Sequence, residues 1–192
     1  MRLHKTWRHL RLLAVTALAA VAGCGVDRPT GPAALAPSSP NQSLIGGLSA
    51  LRPLQRRVPL PDDIVVTAVI GVNGGSIEIP RAGFELVVPP GAISAPTTFR
   101  VKALEGSAIA YEFEPHGVTF QRELRATQDL SHARNVLALA PLLKAGYFAD
   151  RGQIGANGLV ALVSEILPGV VDLRLTRFRW GIPHFSGYIV AW

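Results

Sequence analysis

Beyond Pro61 the chain is a succession of short apolar runs cut by proline and glycine turns, a pattern that restricts it to short strands. Ile64–Ile70 (IVVTAVI) is β-branched and apolar, and Asn73-Gly74-Gly75 turns the chain after it. Ser76–Ile79 and Phe84–Val88 are predicted strands separated by Pro80 to Gly83, and Pro89-Pro90-Gly91 forces the next turn. In Thr97–Leu104 the residues Phe99, Val101 and Ala103 alternate with Arg100 and Lys102, the period of a half-buried strand. Ile109–Phe113 is a further strand, and Val118-Thr119-Phe120 starts another after the Pro115-His116-Gly117 turn. Gln121 to Asn135 is loosely patterned. Val136–Ala149, broken by Pro141 and Gly146, reads as a strand pair rather than a long helix. Gly158–Leu167, Val170–Phe178 and Phe185–Trp192 are the last strand candidates. The predicted fold is all-β, a sandwich or open barrel over residues 62–192. The chain has no glycine-rich phosphate loop and no βαβ alternation, which disfavours a nucleotide-binding α/β fold.

The N-terminus has a different character. A basic stretch (MRLHKTWRHLR) precedes an apolar run from Leu12 to Ala22, too short to span a bilayer that needs roughly 20 such residues. Small residues close the segment. Val21-Ala22-Gly23-Cys24 resembles the bacterial lipobox, with its aliphatic, small, small, Cys pattern. The resemblance implies a signal peptide over 1–23, cleavage before Cys24, and palmitate-type acylation of the Cys24 thiol and the new amine. The alternatives are a plain secretory signal or an uncleaved anchor. Two or three acyl chains hold a protein stably at a membrane, where one alone binds marginally. Gly25, where an Asp would retain the protein at the inner membrane by that resemblance, favours the outer membrane of the cell envelope. Cys24 is the only cysteine, so no disulfide can form within the chain.

Residues 24–61 are rich in Pro, Ser, Gly and Ala and read as a flexible tether from the lipidated Cys24, with Leu44–Leu54 able to dock or form a helical turn. The formal charge of +6 suggests nucleic acid, but the leader holds Arg2, Lys5, Arg8 and Arg11 of the 19 Lys and Arg. That leaves 15 basic against 13 acidic residues, a net of +2, with no basic run interleaved with aromatics. Nucleic-acid binding is therefore not expected.

The segment GGSIEIPRAGFELVVPPGAISAPTTFRVKAL, followed by YEFEPHGVTF, resembles the zonula-occludens/uncoordinated-five (ZU-five) domain. The matching features are Gly74-Gly75, Leu86–Ala92, Thr98–Leu104 and the Pro-x-Gly-x-x-Phe turn at Pro115–Phe120, and HFSGYIVAW looks like the closing strand. The resemblance implies a β-sandwich-type interaction module, here facing an envelope protein partner whose identity the sequence does not give. It also implies one reaction. Some animal relatives cut themselves between Phe and Ser near the end of the domain, and in some of these the motif reads His-Phe-Ser, as at His184-Phe185-Ser186. Ser186 Oγ would attack the Phe185 carbonyl and His184 would take and return the proton. In an extended strand residues 184 and 186 share a face about 7 Å apart at ~3.3 Å per residue, with Phe185 opposite. The competing reading is a closing strand in which Phe185 packs inward and His184 and Ser186 are solvated or hydrogen-bonded.

Other constellations are sparser. His116, His132 and His184 show no ligand spacing, and neither a metal nor a cofactor is expected. Glu112 and Glu114 share a strand face, to be read as solvated, or else as a calcium or acid/base pair. Arg177 and Arg179 flank Phe178, as edge-protecting charges would. A hydrolase acting on other substrates lacks a supporting triad. The two functions that remain are a non-catalytic lipoprotein module and a self-cleaving one.

Overall fold

The computed structural model describes residues 44–45 and 47–192. Its strands are β1 (Leu44–Ile45), β2 (Leu48–Leu51), β3 (Gln55–Leu60), β4 (Ile64–Ile70), β5 (Gly75–Ile79), β6 (Phe84–Val88), β7 (Thr97–Ala103) and β8 (Gly106–Ala108). The series continues with β9 (Ala110–Glu114), β10 (Thr119–Asp129), β11 (Lys144–Phe148), β12 (Ala161–Val163), β13 (Glu165–Leu167), β14 (Gly169–Val171), β15 (Arg177–His184) and β16 (Gly187–Ala191). One short helix, α1 (Val136–Leu139), lies between β10 and β11. The fold is an all-β sandwich. A five-stranded sheet in the order β14-β15-β10-β6-β5 and a six-stranded sheet in the order β13-β11-β16-β9-β7-β4 form its main layers. Two smaller sheets, β1-β2-β12 and β3-β8, complete it.

The main core comes from alternate residues of the two large sheets. Phe99, Val101 and Ala103 of β7 are buried, as the alternation in sequence predicts, together with Phe84, Leu86 and Val88 of β6. Phe178, Trp180 and Ile182 of β15 also belong to it. A second cluster, with Leu51, Ala110, Phe148, Val163, Ile189 and Ala191, joins β2 and β12 to the six-stranded sheet. That sheet is therefore covered on both faces at its centre. This explains why all five residues of β16 are buried: Tyr188 and Val190 enter one cluster, Ile189 and Ala191 the other. Gly74, at φ +75°, occupies the turn after β4, where a side-chain carbon would stand 2.2 Å from the Val88 carbonyl oxygen.

Three expectations need correction. Among the described residues, strand structure is already present from β1, ahead of residue 62. Residues 48–60, read as tether, supply β2 and β3 and bury Leu51, Leu54 and Leu60. Their Pro and Arg content mimics a linker, but Pro53 sits at an isolated bridge and the Arg56 side chain is buried. The segment after Gln121 is not loose: β10 runs to Asp129 and pairs with both β15 and β6. Its inward residues are Leu124, Ala126 and Gln128, and the last of these hides the alternation because it is polar. Val136–Ala149 is not a strand pair either, since α1 and a single turn of tighter helix at Ala140–Leu142 precede one strand, β11.

Candidate functional site at the corner between the two sheets

His184 ends β15 in the five-stranded sheet, and Gly187 begins β16 in the six-stranded one. Phe185 and Ser186 are thus the corner where the chain changes sheets. The Phe185 ring is buried, stacked on Phe113 at 5.3 Å and edge-on to Phe99 and Phe120 at 4.8 and 4.9 Å. Main-chain bonds hold the corner on both sides. Phe185 N–H donates to the Val118 carbonyl at 3.1 Å, Gly117 N–H donates to the Phe185 carbonyl at 3.3 Å, and Phe113 N–H donates to the Ser186 carbonyl at 2.9 Å. Gly187 is required by packing, because a side-chain carbon there would meet the Phe148 ring at 2.2 Å.

The flanking polar side chains part company at the bend. Ser186 is buried and its hydroxyl donates to the Phe148 carbonyl at 3.3 Å. His184 is half-buried, with Nε2 3.6 Å from Glu165 Oε2 and Nδ1 3.4 Å from the Tyr188 hydroxyl. Tyr147 lies edge-on to the His184 ring at 4.8 Å. The Tyr188 hydroxyl donates to the His184 carbonyl at 2.7 Å. Burial, and then the nearby Glu165 carboxylate, push the Tyr188 phenol well above its ordinary value, so it is a donor and not a base at neutral pH. Among the described residues His184 and Ser186 share no hydrogen bond. Period-two reasoning placed them on one face, but β15 stops at His184 and the bend redirects Ser186. A cleft of about 550 Å³ opens at this corner between His116, Gly117, Thr119, Tyr147 and His184. Gly117 was read only as part of a turn, and Glu165 and Tyr188 only as parts of strands, because register and sheet crossing bring them here and neither can be read from local pattern.

The two predicted carboxylates have structural partners. Glu112 and Glu114 do share a face of β9, where Lys102 Nζ and Arg100 Nη1 of β7 bond them at 2.7 and 2.8 Å. Their charge is met by these cations across the strand pair. Arg177 and Arg179 are exposed on either side of the buried Phe178, but they guard no edge, since β15 is paired on both sides, with β14 and β10. Among the described residues no group of three His, Cys, Asp or Glu is placed to hold a metal, and no helix is long and apolar enough to cross a membrane. Cys24 lies outside the described residues.

A buried polar network was not legible in sequence. Gln128, fully buried, accepts a hydrogen bond from the Tyr111 hydroxyl and donates to the Ala82 carbonyl at 3.1 Å. Arg56 lies over the Tyr111 ring, with its carbon 5.9 Å from the centroid, and donates to the Ala108 carbonyl. Burial lowers the Arg56 pKa, with Tyr111 acting in the opposite direction.

Residues 66–110, from β4 through the first residue of β9, match the ZU5 domain, whose members are β interaction modules. The chain is thus similar to that family over the segment containing the Pro-Pro-Gly-Ala turn. No curated protein matches the chain.

Proposed function

We propose that this protein is a lipid-anchored component of the bacterial cell envelope whose β-sandwich is a non-catalytic protein-interaction module. The observation that carries the module is the ZU5 match across β4–β8, of which β4 to β7 build one end of both large sheets. The placement rests on Val21-Ala22-Gly23-Cys24 at the end of a short apolar run. Metabolic labelling with a palmitate analogue tests the anchor. Wild type should take up label and fractionate with the outer membrane, and Cys24→Ala should lose both; an unlabelled wild type overturns it. Crosslinking in intact cells tests the module, which fails if no envelope protein is captured above the level of an unrelated lipoprotein.

A second reading, self-cleavage between Phe185 and Ser186, is favoured by the Gly117 N–H on the Phe185 carbonyl oxygen. That donor sits where charge develops as Ser186 Oγ adds to the carbonyl carbon. Collapse would break the Phe185–Ser186 C–N bond, leave an ester on Oγ and free the Ser186 amine; water then hydrolyses the ester. The Ser186 hydroxyl must first leave the Phe148 carbonyl, and His184 must turn toward it. Intact mass under denaturing conditions decides the matter. Loss of a seven-residue Ser186–Trp192 fragment in wild type, absent in Ser186→Ala, supports cleavage, and a single full-length species removes it.

A further inference from the structure

β4 is an edge strand without the devices that normally keep an edge from pairing. Among the described residues it is hydrogen-bonded to β7 alone, through seven consecutive residue pairs from Ile64–Ala103 to Ile70–Thr97. Among the described residues, its other side therefore has unpaired amides and carbonyls, a template for one more strand. The remaining edges of the two large sheets are guarded by shortness or charge. β13 and β14 have three residues each, and β13 and β5 carry Glu165 and Glu78. β4 has seven residues and no charge, proline or glycine. Its outward face is apolar as well, with Val65 40% and Val69 69% exposed on either side of Thr67.

The order of residues indicates what covers it. Read outward from Thr67, the strand is nearly the same in both directions: Val66 answers Ala68, Val65 answers Val69, and Ile64 answers Ile70. An antiparallel pair about a two-fold axis at Thr67 sets each residue opposite its counterpart on the second copy, like against like in size. Val65 then covers the partner's Val69 on the outer face, and the half-buried Ile64, Val66 and Ala68 are closed over on the core side. Such an isologous contact closes on itself and removes the exposed edge from both copies.

We propose that β4 is a self-pairing edge, and that two copies join through it in antiparallel register about Thr67 to make one continuous sheet from their six-stranded sheets. The pairing stands independently of lipidation and of the fate of the Phe185–Ser186 bond. One strand pair is a small interface, at the low end of those that hold stable complexes. The dimer is therefore expected to be concentration-dependent in solution and favoured where copies are gathered on a surface.

Cysteine crosslinking of the full chain tests both contact and register. A Cys24→Ala background removes the only native thiol. Facing residues in an antiparallel pair have Cα atoms about 4.5–5.5 Å apart, within disulfide reach. Oxidation of Thr67→Cys should therefore give a covalent dimer. Val65→Cys alone should not, because four residues of offset at ~3.3 Å each separate the two copies of position 65. Mixing Val65→Cys with Val69→Cys should restore the crosslink. Multi-angle light scattering of the chain without engineered cysteines, in detergent and over a concentration series, should show a doubling of mass that Val69→Lys abolishes, with circular dichroism unchanged. The proposal is overturned if that chain stays monomeric throughout. It is equally overturned if Val65→Cys crosslinks to itself as readily as Thr67→Cys, which would mark an unregistered contact.

Discussion

The amide of Gly117 donates to the carbonyl of Phe185 at 3.3 Å, tying the turn before β10 to the corner between β15 and β16. With the bond from Phe185 N–H to the Val118 carbonyl, it clamps the chain at the point where it leaves one sheet for the other. The Phe185 ring is the internal half of the same clamp.

Truncating that ring should be costly. Phe185→Ala removes a side chain in contact with Phe99, Phe113 and Phe120, and is expected to cost about 3–5 kcal/mol in urea unfolding. Ser186→Ala deletes one neutral hydrogen bond and should cost only about 1 kcal/mol. Equal losses for the two variants would show that the corner is not anchored by the ring.

The Tyr111–Gln128 pair should behave as a unit. Tyr111→Phe leaves the buried Gln128 carbonyl without its hydroxyl donor, at an expected cost of about 1–3 kcal/mol. Adding Gln128→Leu should cost less than the two single losses summed, since the double variant leaves neither side chain unsatisfied. Simple additivity in the same unfolding assay would argue against the network.

The two ion pairs between β7 and β9 should differ in strength. Lys102 and Glu112 are 19% and 18% exposed, whereas Arg100 and Glu114 are 43% and 39% exposed. A double-mutant cycle should give about 0.5–1 kcal/mol for the first pair and a smaller value for the second, which solvent screens more. Raised salt should weaken the second pair more, and the reverse order would contradict the account.

Acid should destabilise the fold partly through Asp63. Burial alone would raise its pKa, but the Glu105 amide at 2.8 Å and Arg151 at 3.0 Å outweigh burial and hold it below the ordinary carboxylate value. The folded state thus binds fewer protons than the unfolded state around that value. The stabilisation is fully present above the unfolded pKa and is lost as pH falls through the folded one. Stability measured downward from about pH 5 should fall less steeply in Asp63→Asn than in wild type. Parallel curves would exclude Asp63 from the acid response.

How much the sequence disclosed follows from where side chains point. β7 was legible because both its faces obey the alternation, Phe99, Val101 and Ala103 inward and Arg100 and Lys102 outward. β10 was hidden because Gln128 points inward and a register shift interrupts its pairing between Thr119 and Leu124. β3 was hidden because Arg56, a residue expected in water, lies inside. Of the candidate site, the burial of Phe185 was readable from its type. The separation of His184 from Ser186 was not, since it depends on a bend between sheets and on Phe148, brought close only by the pairing of β11 with β16.

The small layer formed by β1, β2 and β12 has a mechanical consequence. A pull on the chain ahead of Leu44 loads β1 first and then β2, which is held to β12 by only three residue pairs. Such a load peels that layer from the outer side of the six-stranded sheet, uncovering Leu51 and Val163, while the Phe185 corner on the main core carries none of it until β2 has come away. The N-terminal strands would thus act as a fuse, giving way to such a load before the body of the sandwich does.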